Sequence, residues 1–434
     1  MKDFLFKLPE DDEILRKRLS PRKRLLDSSL IADITAIFNN VAASGDNAVI
    51  EATEKFDNII INAINVSDEY ITRCLADLSP PFRTAVEKTI QNIKEVNEAL
   101  MPDPDWRKEI RPGTVIGEKI TPLDSVGLYI PARKGPLVST ALMLVTAAKV
   151  AGVSNIVVGM PPQENGQANP STIAAASIAG ADRIVMGNGV AVLAGMTTGT
   201  ESIPEVDGMF GPGPAGIAAA MSVAFSHGKK TVVGIGPTDC AVIADDSAEP
   251  DWIARNLMCE AEHGPDSSVL LATTSEELAK KVVRTLFDRI PGVDNKKRGP
   301  VLSKVFGKDG MGAIAIVPDI KSACKIIDEF APEHLMVACS EDTQVKVLSI
   351  IRNTGEILLG HNTPFSAANY AIGITAVLPT NGFARAFSGI TCRDMIKTST
   401  IGALSEDALK ELKDTIKALG EHEGLPCHVE AALK

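Results

Sequence analysis

The chain has 434 residues, about three times the usual length of a domain, which excludes a single small module. Hydrophobic residues make up 45% and charged residues 23% of it, a composition that builds substantial cores and excludes disorder as the main state. The net charge of −11 and the short supply of stacking side chains, 13 Phe, 3 Tyr and 2 Trp, argue against nucleic acid as a partner.

Residues 1–25 are predicted to form an N-terminal helical arm. They contain no apolar core of the length that a secretion signal needs, and no later window of about 18 residues is free of charges and helix breakers. We therefore expect a cytoplasmic protein without a membrane partner. The 7 cysteines are scattered singly, which is typical of reduced thiols and not of a disulfide framework. The basic run Arg16–Arg24 is interpreted as a solvated face.

Residues 1 to about 120 are predicted to be helical, because charged and apolar residues are interleaved there at helical spacing. Over residues 126–239 the pattern changes to short apolar runs that end in Gly or Pro and are followed by Ala-rich segments. Such alternation is typical of a parallel sheet that is buried on both faces. The same pattern returns within residues 240–390. We expect a first α/β domain from 26–125 plus 240–390, a second from 126–239, and a helical tail over 391–434.

The predicted fold class is therefore α/β, with two incomplete Rossmann-like parallel sheets. Ligands of open parallel sheets bind outside the carboxyl ends of the strands, so we expect functional residues in the loops that follow the strands. One such loop, FGPGPAG, has Gly211, Gly213 and Gly216 at the GxGxxG spacing of a dinucleotide-binding turn. Pro212 and Pro214 remove two amide donors from it, which favours an ordinary strand end over a phosphate cradle.

Two pairs of polar side chains stand among apolar neighbours. Glu260 and His263 are three residues apart at the end of a predicted helix, so both leave the same face. A carboxylate and an imidazole suit zinc, although such a pair is more often a plain surface pair. Glu333 and His334 precede an apolar run and could act as acid and base, with an ordinary loop pair as the equal alternative. His428 would act only if the tail folds into a neighbouring site.

Six motifs, VGLYIPA, GTESIPEVD, FGPG, EAEHGPDS, APEHL and VLPT, resemble the histidinol dehydrogenase family in order and spacing over nearly the whole chain. The resemblance implies a domain-swapped homodimer with shared active sites that oxidises a primary alcohol, through the aldehyde, to a carboxylate with NAD and zinc. It implies that His334 is the general base and that Glu333 activates water for the second oxidation. The metal ligands that it implies are Glu260, His263, Asn369 and His428.

The expected cofactor site combines this resemblance with the glycine-containing loop. Tyr129 matches the NAD-contacting tyrosine of the family, whereas Ala191 and Pro214 occupy the positions of its glutamine and asparagine. We expect NAD at Tyr129, Gly211, Gly213 and Pro214, and NADP stays open as an alternative.

Two of the implied metal ligands depart from the family pattern. The family has glutamine where Glu260 stands and aspartate where Asn369 stands. One neutral ligand has gained a charge and one charged ligand has lost it, so the summed ligand charge is unchanged. Because metal sites respond to total ligand charge, this exchange favours a retained divalent cation.

The expected substrate pocket has changed more. Phe365 and Ala376 stand where the family has a glutamate and a histidine, so two polar groups expected around histidinol are absent. Leaving the buried nitrogens of histidinol unpaired would cost about 1–3 kcal/mol each. Phe365 and Ala376 therefore predict a substrate other than histidinol.

The remaining pocket positions point to a polar or anionic substrate. Thr238 and Glu423 match retained family positions, whereas Arg133, Lys134 and Arg385 add positive charge. We expect a small polar or anionic alcohol such as a polyol, a sugar acid or a sulfonated diol; equally, the cations could contact the cofactor's pyrophosphate. The alternatives are histidinol dehydrogenase itself and, in another class, a non-catalytic binding relative.

Overall fold

The computed structural model describes residues 4–20, 26–133, 135–232, 234, 236, 238–294 and 296–432. Up to the end of the first parallel sheet, the elements are β1 (Leu5–Lys7), α1 (Asp12–Leu19), α2 (Ser28–Asp57), α3 (Asp68–Ala76), α4 (Pro80–Leu100), β2 (Asp105–Arg111), β3 (Thr114–Pro122), β4 (Ser125–Tyr129), α5 (Val138–Ala151), β5 (Asn155–Met160), α6 (Pro170–Ala179), β6 (Arg183–Met186), α7 (Gly189–Thr198), β7 (Gly208–Phe210), α8 (Ala215–Ser226) and β8 (Lys230–Thr231).

The rest of the chain forms the second parallel sheet and the tail. Its elements are β9 (Asp239–Ala244), α9 (Pro250–Ala261), β10 (Ser268–Thr273), α10 (Glu276–Arg289), α11 (Arg298–Val305), β11 (Met311–Ile316), α12 (Ile320–Phe330), β12 (His334–Ala338), α13 (Glu341–Ile350), β13 (Glu356–Leu359), α14 (Phe365–Tyr370), β14 (Ile396–Leu404), α15 (Glu406–His422) and α16 (Pro426–Ala431). Within the described residues, none of the helices has both the length and the apolarity that a membrane crossing requires.

The first parallel sheet has the strand order β6-β5-β4-β7-β8. Its first strand, β4, lies in the middle, and the later strands are added on either side, as in a Rossmann sheet without its sixth strand. Local sequence sets the helix limits: α6 is preceded by Asn169, whose side chain accepts the N–H of Thr172, and is followed by Gly180 in the left-handed conformation. The predicted parallel α/β architecture is confirmed here.

The second parallel sheet repeats this order with one strand added at its edge, β1-β11-β10-β9-β12-β13. The added strand comes from the N-terminal segment, where Leu5–Lys7 pairs in parallel with β11. The N-terminal segment is thus a strand followed by a helix, not a purely helical arm, because Phe4 and Phe6 are buried in the core of this sheet. Part of the basic run Arg16–Arg24 lies outside the described residues.

Helices α2 to α4 pack on the first parallel sheet, so the structure divides the chain differently from the predicted grouping of 26–125 with 240–390. The apolar face of α2, including Ile34, Phe38 and Val49, shares one core with Val126 of β4. Residues 240–390 supply most of a separate core around the second sheet. The amphipathic pattern of α2 predicts a buried face but does not say which sheet covers it.

A small antiparallel sheet, in the order β14-β3-β2, extends from this body. Residues 105–111 and 114–122 form β2 and β3, an antiparallel pair, and not the predicted helix. Strand β3 is rich in β-branched residues, which favour strands over helices: Thr114, Val115, Ile116, Ile120 and Thr121. The tail is also only partly helical: Ile396–Leu404 pairs with Thr114–Pro122 before α15 and α16 begin.

Candidate active site

A cavity of about 470 Å³ lies between the second parallel sheet, helix α4 and the start of α5. Seven of the residues singled out from the sequence line it: Thr238, Glu260, His263, Glu333, His334, Asn369 and Ala376. The sheet contributes its amino edge, because β9, β12 and β13 begin at Asp239, His334 and Glu356. The expectation that functional residues follow the carboxyl ends of strands is therefore met only by the segment after β4, residues 136–143.

Glu333 is held at the start of β12 by Asp239, across the sheet. The N–H of Glu333 donates to Asp239 Oδ1 at 2.6 Å, and the N–H of Asp239 donates to Glu333 Oε2 at 3.3 Å. The other oxygen of Asp239 accepts the N–H of Asn381 at 2.7 Å. These bonds fix the backbone and one carboxylate oxygen of Glu333, so its Oε1 is left to face His334.

The imidazole of His334 is buried, with 3% of its side chain exposed, and carboxylates lie near both of its nitrogens. Its Nε2 is 3.3 Å from Glu333 Oε1 and 3.9 Å from Glu260 Oε2. Its Nδ1 is 2.5 Å from Glu356 Oε1. The ring of Phe365 packs edge-on against the imidazole, with the centroids 5.7 Å apart.

The surroundings shift the acidity of both catalytic candidates. Burial raises the pKa of Glu333 to about 7, and the neighbouring His334 opposes that rise. Burial alone would lower the pKa of His334, but the carboxylates of Glu260, Glu333 and Glu356 raise it well above its usual range. A carboxyl group poised near neutral pH beside an imidazole is suited to moving protons.

Glu260 and His263 come together at the end of α9, as the helical spacing predicts. Glu260 Oε2 is 3.6 Å from His263 Nε2, and Asn369 of α14 donates its side-chain N–H to Glu260 Oε1 at 2.9 Å. The exposed fraction of the Glu260 side chain is 1%. Helix α14 is held to α9 because the N–H of Phe365 donates to the Asn256 side chain.

The donor set of Glu260, His263 and Asn369 fits a divalent cation. Glu260 Oε2 is fully buried and makes no hydrogen bond, which is costly for a carboxylate oxygen unless a cation balances it. The described part of this single chain has no group of three or more His, Cys, Asp or Glu side chains placed to hold a metal ion. A complete set of zinc ligands thus requires the amide of Asn369 and a group from outside this arrangement.

The implied substrate residues do not all lie at the cavity. Thr238 and Ala376 line it, whereas Phe365 is fully buried behind His334. The expectation that Arg385 contacts the substrate is wrong. Arg385 lies in a separate surface groove, and its guanidinium donates to the Glu329 carbonyl. Its charge does not reach this cavity, so the positive charge expected there is absent at that position.

Arg133 and Lys134 were also expected to add positive charge near the substrate. Arg133 forms an ion pair with Asp57 at 2.5 Å, which engages its charge away from the cavity. Lys134 lies outside the described residues.

The residues expected to bind NAD lie together at the carboxyl edge of the first sheet, outside the 470 Å³ cavity. Tyr129 ends β4 and is buried, and the Cα of Gly211 lies so close to its carbonyl oxygen that any Cβ there would collide with it. Gly213 packs on Ile217, and Pro214 begins α8. This edge lies between β4 and β7, where the strand order reverses, which is the usual ligand position in such sheets.

Glu423 and His428 lie on the tail, at the end of α15 and within α16, and both are exposed. Neither lines the cavity of its own chain. The four implied metal ligands are therefore not assembled within one chain, because three lie at the cavity and His428 does not.

Sequence reasoning missed several residues at the site. Glu356 is the main one, and its signal was a glutamate directly before the apolar run ILL, at the start of a predicted strand. The cavity is also lined by hydroxyl-bearing residues that no motif marks, Thr89, Ser139, Thr140 and Tyr370.

Similarity to known proteins decides the family of this chain. The sequence profile of the histidinol dehydrogenase family matches residues 20–434. The chain belongs to the histidinol dehydrogenase family. It is 36% identical to the histidinol dehydrogenase of a Synechocystis species over 430 residues, which cover 96% of this chain and 95% of that protein. It is 35% identical to the enzyme of Methanosarcina barkeri, covering 92% of this chain and 90% of the relative.

A solved structure agrees with the sequence relatives. The crystal structure of histidinol dehydrogenase from Elizabethkingia anophelis superposes with a TM-score of 0.91 at 29% identity, covering 99% of this chain and 96% of that one. The fold of this chain is therefore that of the histidinol dehydrogenase family along nearly its whole length.

The expectation of a substrate other than histidinol is wrong. Relatives from bacteria and archaea that match nearly the full chain are named histidinol dehydrogenases, and none of these findings favours a polyol, a sugar acid or a sulfonated diol. Phe365 does not form part of the cavity wall and Arg385 lies in another groove, so neither residue shapes the substrate site as expected.

Proposed function

We propose that this protein is a histidinol dehydrogenase that oxidises histidinol, through the aldehyde, to histidine with NAD as the oxidant. The observation that carries the proposal is the set of Glu333, His334, Glu260 and His263 around one cavity. The full-length similarity to proteins named histidinol dehydrogenase supports the choice of substrate. For each molecule of alcohol, the reaction consumes one water and two NAD and releases the carboxylate, two NADH and three protons.

His334 is the proposed general base for the alcohol. Its Nε2 is directed at the cavity side, where Glu333 and Glu260 lie, so an alcohol bound there meets the nitrogen that accepts its proton when the ring is neutral. The nearly complete burial of the ring excludes bulk water and keeps this proton transfer between the substrate and one acceptor.

Glu333 is the proposed base for the second oxidation. Its Oε1 lies beside His334 while Oε2 is held by Asp239, so one oxygen is positioned and the other can take a proton from water. Because burial brings the pKa of Glu333 to about 7, the carboxylate can gain and lose that proton near neutral pH.

Glu260, His263 and Asn369 would hold the zinc ion. When bound, zinc supplies a Lewis acid for the reacting alcohol. The buried, unbonded Glu260 Oε2 supports this assignment. Tyr129, Gly211, Gly213 and Pro214 would bind NAD, which supplies the hydride acceptor.

We also propose that two copies pair through the tail, each completing the other's site with Glu423 and His428. Both residues are exposed at the end of the chain, and the tail exposes Leu419 and Leu425 beside them. Tyr370, at the cavity rim, is 60% exposed. An apolar tail surface and an exposed aromatic rim are what such a contact would bury.

The direct test is an initial-rate assay of the purified, zinc-supplied protein with histidinol, comparing NAD with NADP by the absorbance of the reduced cofactor. We expect NAD-dependent turnover, and the matched control H334N is expected to lose at least about 100-fold in kcat. Absence of turnover in protein that carries stoichiometric zinc would refute the proposed substrate. Unchanged activity of H334N would remove His334 from the role of base.

A further inference from the structure

Glu356 lies on the side of His334 that faces away from the cavity. The two residues are direct partners in the register of the parallel strands β12 and β13. Glu356 Oε1 is 2.5 Å from His334 Nδ1, and the exposed fractions of the two side chains are 6% and 3%. This contact is therefore on the opposite side of the ring from Nε2, which faces Glu333 and Glu260.

The position of Glu356 is costly for a carboxylate that contributes only to the fold. It begins the otherwise apolar strand EILL, and its second oxygen, Oε2, is buried without a hydrogen-bond partner. Removing a carboxylate from water is compensated only through good local partners. Within the described residues, His334 is the only ion-pair partner found for Glu356.

A carboxylate at this place decides which nitrogen of the imidazole carries hydrogen. An ionised carboxylate only accepts hydrogen bonds, so at 2.5 Å from Nδ1 it requires the hydrogen on that nitrogen. In the neutral ring, Nε2 then keeps its lone pair and faces the cavity. The ring of Phe365, packed edge-on at 5.7 Å, restricts the rotation that would exchange the two nitrogens.

We propose that Glu356 is a positioning residue, which holds His334 in the orientation and tautomer that leave Nε2 free to accept the proton of the substrate alcohol. The inference rests on the proposed function for the identity of that alcohol. Glu356 acts through His334 and does not line the cavity. His334 thus has two carboxylate neighbours with different roles: Glu356 lies at Nδ1 and Glu333 lies at Nε2.

The test compares E356Q and E356D with the wild type and with the control I357V. Glutamine has nearly the same shape, but its amide can donate to Nδ1 and so permits the wrong tautomer. Aspartate is shorter and still only accepts. I357V removes a methyl group from the next residue of β13, which controls for general loosening of the strand.

We expect E356Q to lower kcat with histidinol by about 100-fold while KM changes by less than about threefold, because proton transfer and not binding is affected. E356D is expected to recover at least about a tenth of the wild-type kcat, and I357V to match the wild type within about threefold. Retention of wild-type kcat by E356Q, or an equal loss in I357V, would overturn the proposal.

Nitrogen-15 NMR of His334, assigned with H334N, separates this proposal from the proposed function. The spectra are recorded above the raised pKa of His334, where the ring is neutral. There we expect a protonated Nδ1 and an unprotonated Nε2 in the wild type, and in E356Q a shift of hydrogen toward Nε2. An unchanged tautomer in E356Q would overturn the positioning role. If the wild type does not oxidise histidinol, the proposed function fails, and this spectrum still decides the role of Glu356.

Discussion

At the scale of single residues, Glu333 and His334 are neighbours in sequence with separate tasks. Glu333 is anchored through Asp239 and has a pKa raised to about 7 by burial, whereas His334 has Glu356 on its far nitrogen. We therefore predict that E333Q still oxidises the alcohol but does not convert the aldehyde, because a neutral amide cannot take a proton from water.

The measurement for E333Q is the yield of NADH from limiting histidinol. About one NADH per histidinol is expected from the variant, against about two from the wild type, with aldehyde trapped by an added amine or hydrazine. A yield of two from E333Q would show that another group activates water.

A second prediction at this scale concerns the charged ligand of the proposed metal site, which stands at position 260 in this chain and at position 369 in the family pattern. E260Q removes the only charged ligand of the proposed set and is expected to weaken zinc binding by about 10–100-fold. The double variant E260Q/N369D restores one charge on the other ligand and should bind zinc within about threefold of the wild type. Competition with a chelator of known affinity measures both. A double variant no better than E260Q would contradict charge compensation.

At the scale of elements, the kink in α2 is tied to the segment after α7. Gly45 has a φ of 56°, and the carboxylate of Asp46 accepts bonds from Thr200 Oγ1 at 2.6 Å and from the N–H and Oγ of Ser202 at 3.1 and 2.6 Å. D46N is expected to lower the free energy of unfolding by about 1–2 kcal/mol at pH 7, because bonds to an ionised acceptor are the stronger ones.

The pH dependence of this tie follows from the acidity of Asp46. Burial raises the pKa of Asp46, but the bonds from Ser202 and Thr200 outweigh it and lower the pKa below its usual range. The stabilisation is present above the unfolded pKa of about 4 and is lost as the pH falls through the folded pKa. Urea titrations at several pH values should show the difference between wild type and D46N shrinking in acid. The exposed D33N, in the same helix, controls for charge, and a constant difference would contradict this origin.

The elements also show how far sequence patterns reach. Continuous apolar runs predict the buried parallel strands, and Gly264-Pro265 predicts the end of α9 beside Glu260 and His263. The same patterns do not tell which sheet α2 covers, because an amphipathic face fits any apolar surface. Glu356 escaped notice since its partner, His334, is 22 positions away and is met only through strand pairing.

At the scale of the whole molecule, the proposed active site needs two chains. His428 and Glu423 lie on an exposed tail, apart from the cavity of their own chain. Mixing H334N with H428N, each inactive alone, is therefore expected to restore activity. Subunit exchange makes dimers in which one site has both wild-type residues and the other has both substitutions, so up to about a quarter of the sites in a random mixture regain function.

The control for this mixing experiment is H334N with E333Q. In each site, residues 333 and 334 come from the same chain, so no pairing of these two variants gives a site with both wild-type residues. That mixture should recover nothing beyond the sum of the two variants. If H334N and H428N likewise fail to complement after verified subunit exchange, the site does not draw His428 from a second copy.

The most direct test of the central claim, that this protein oxidises histidinol twice to give histidine, is the stoichiometry of the wild-type reaction. Limiting histidinol is incubated to completion with excess NAD and zinc-loaded protein, and NADH and histidine are both quantified. We predict about two NADH and one histidine per histidinol. No NADH, or NADH without histidine, would contradict it.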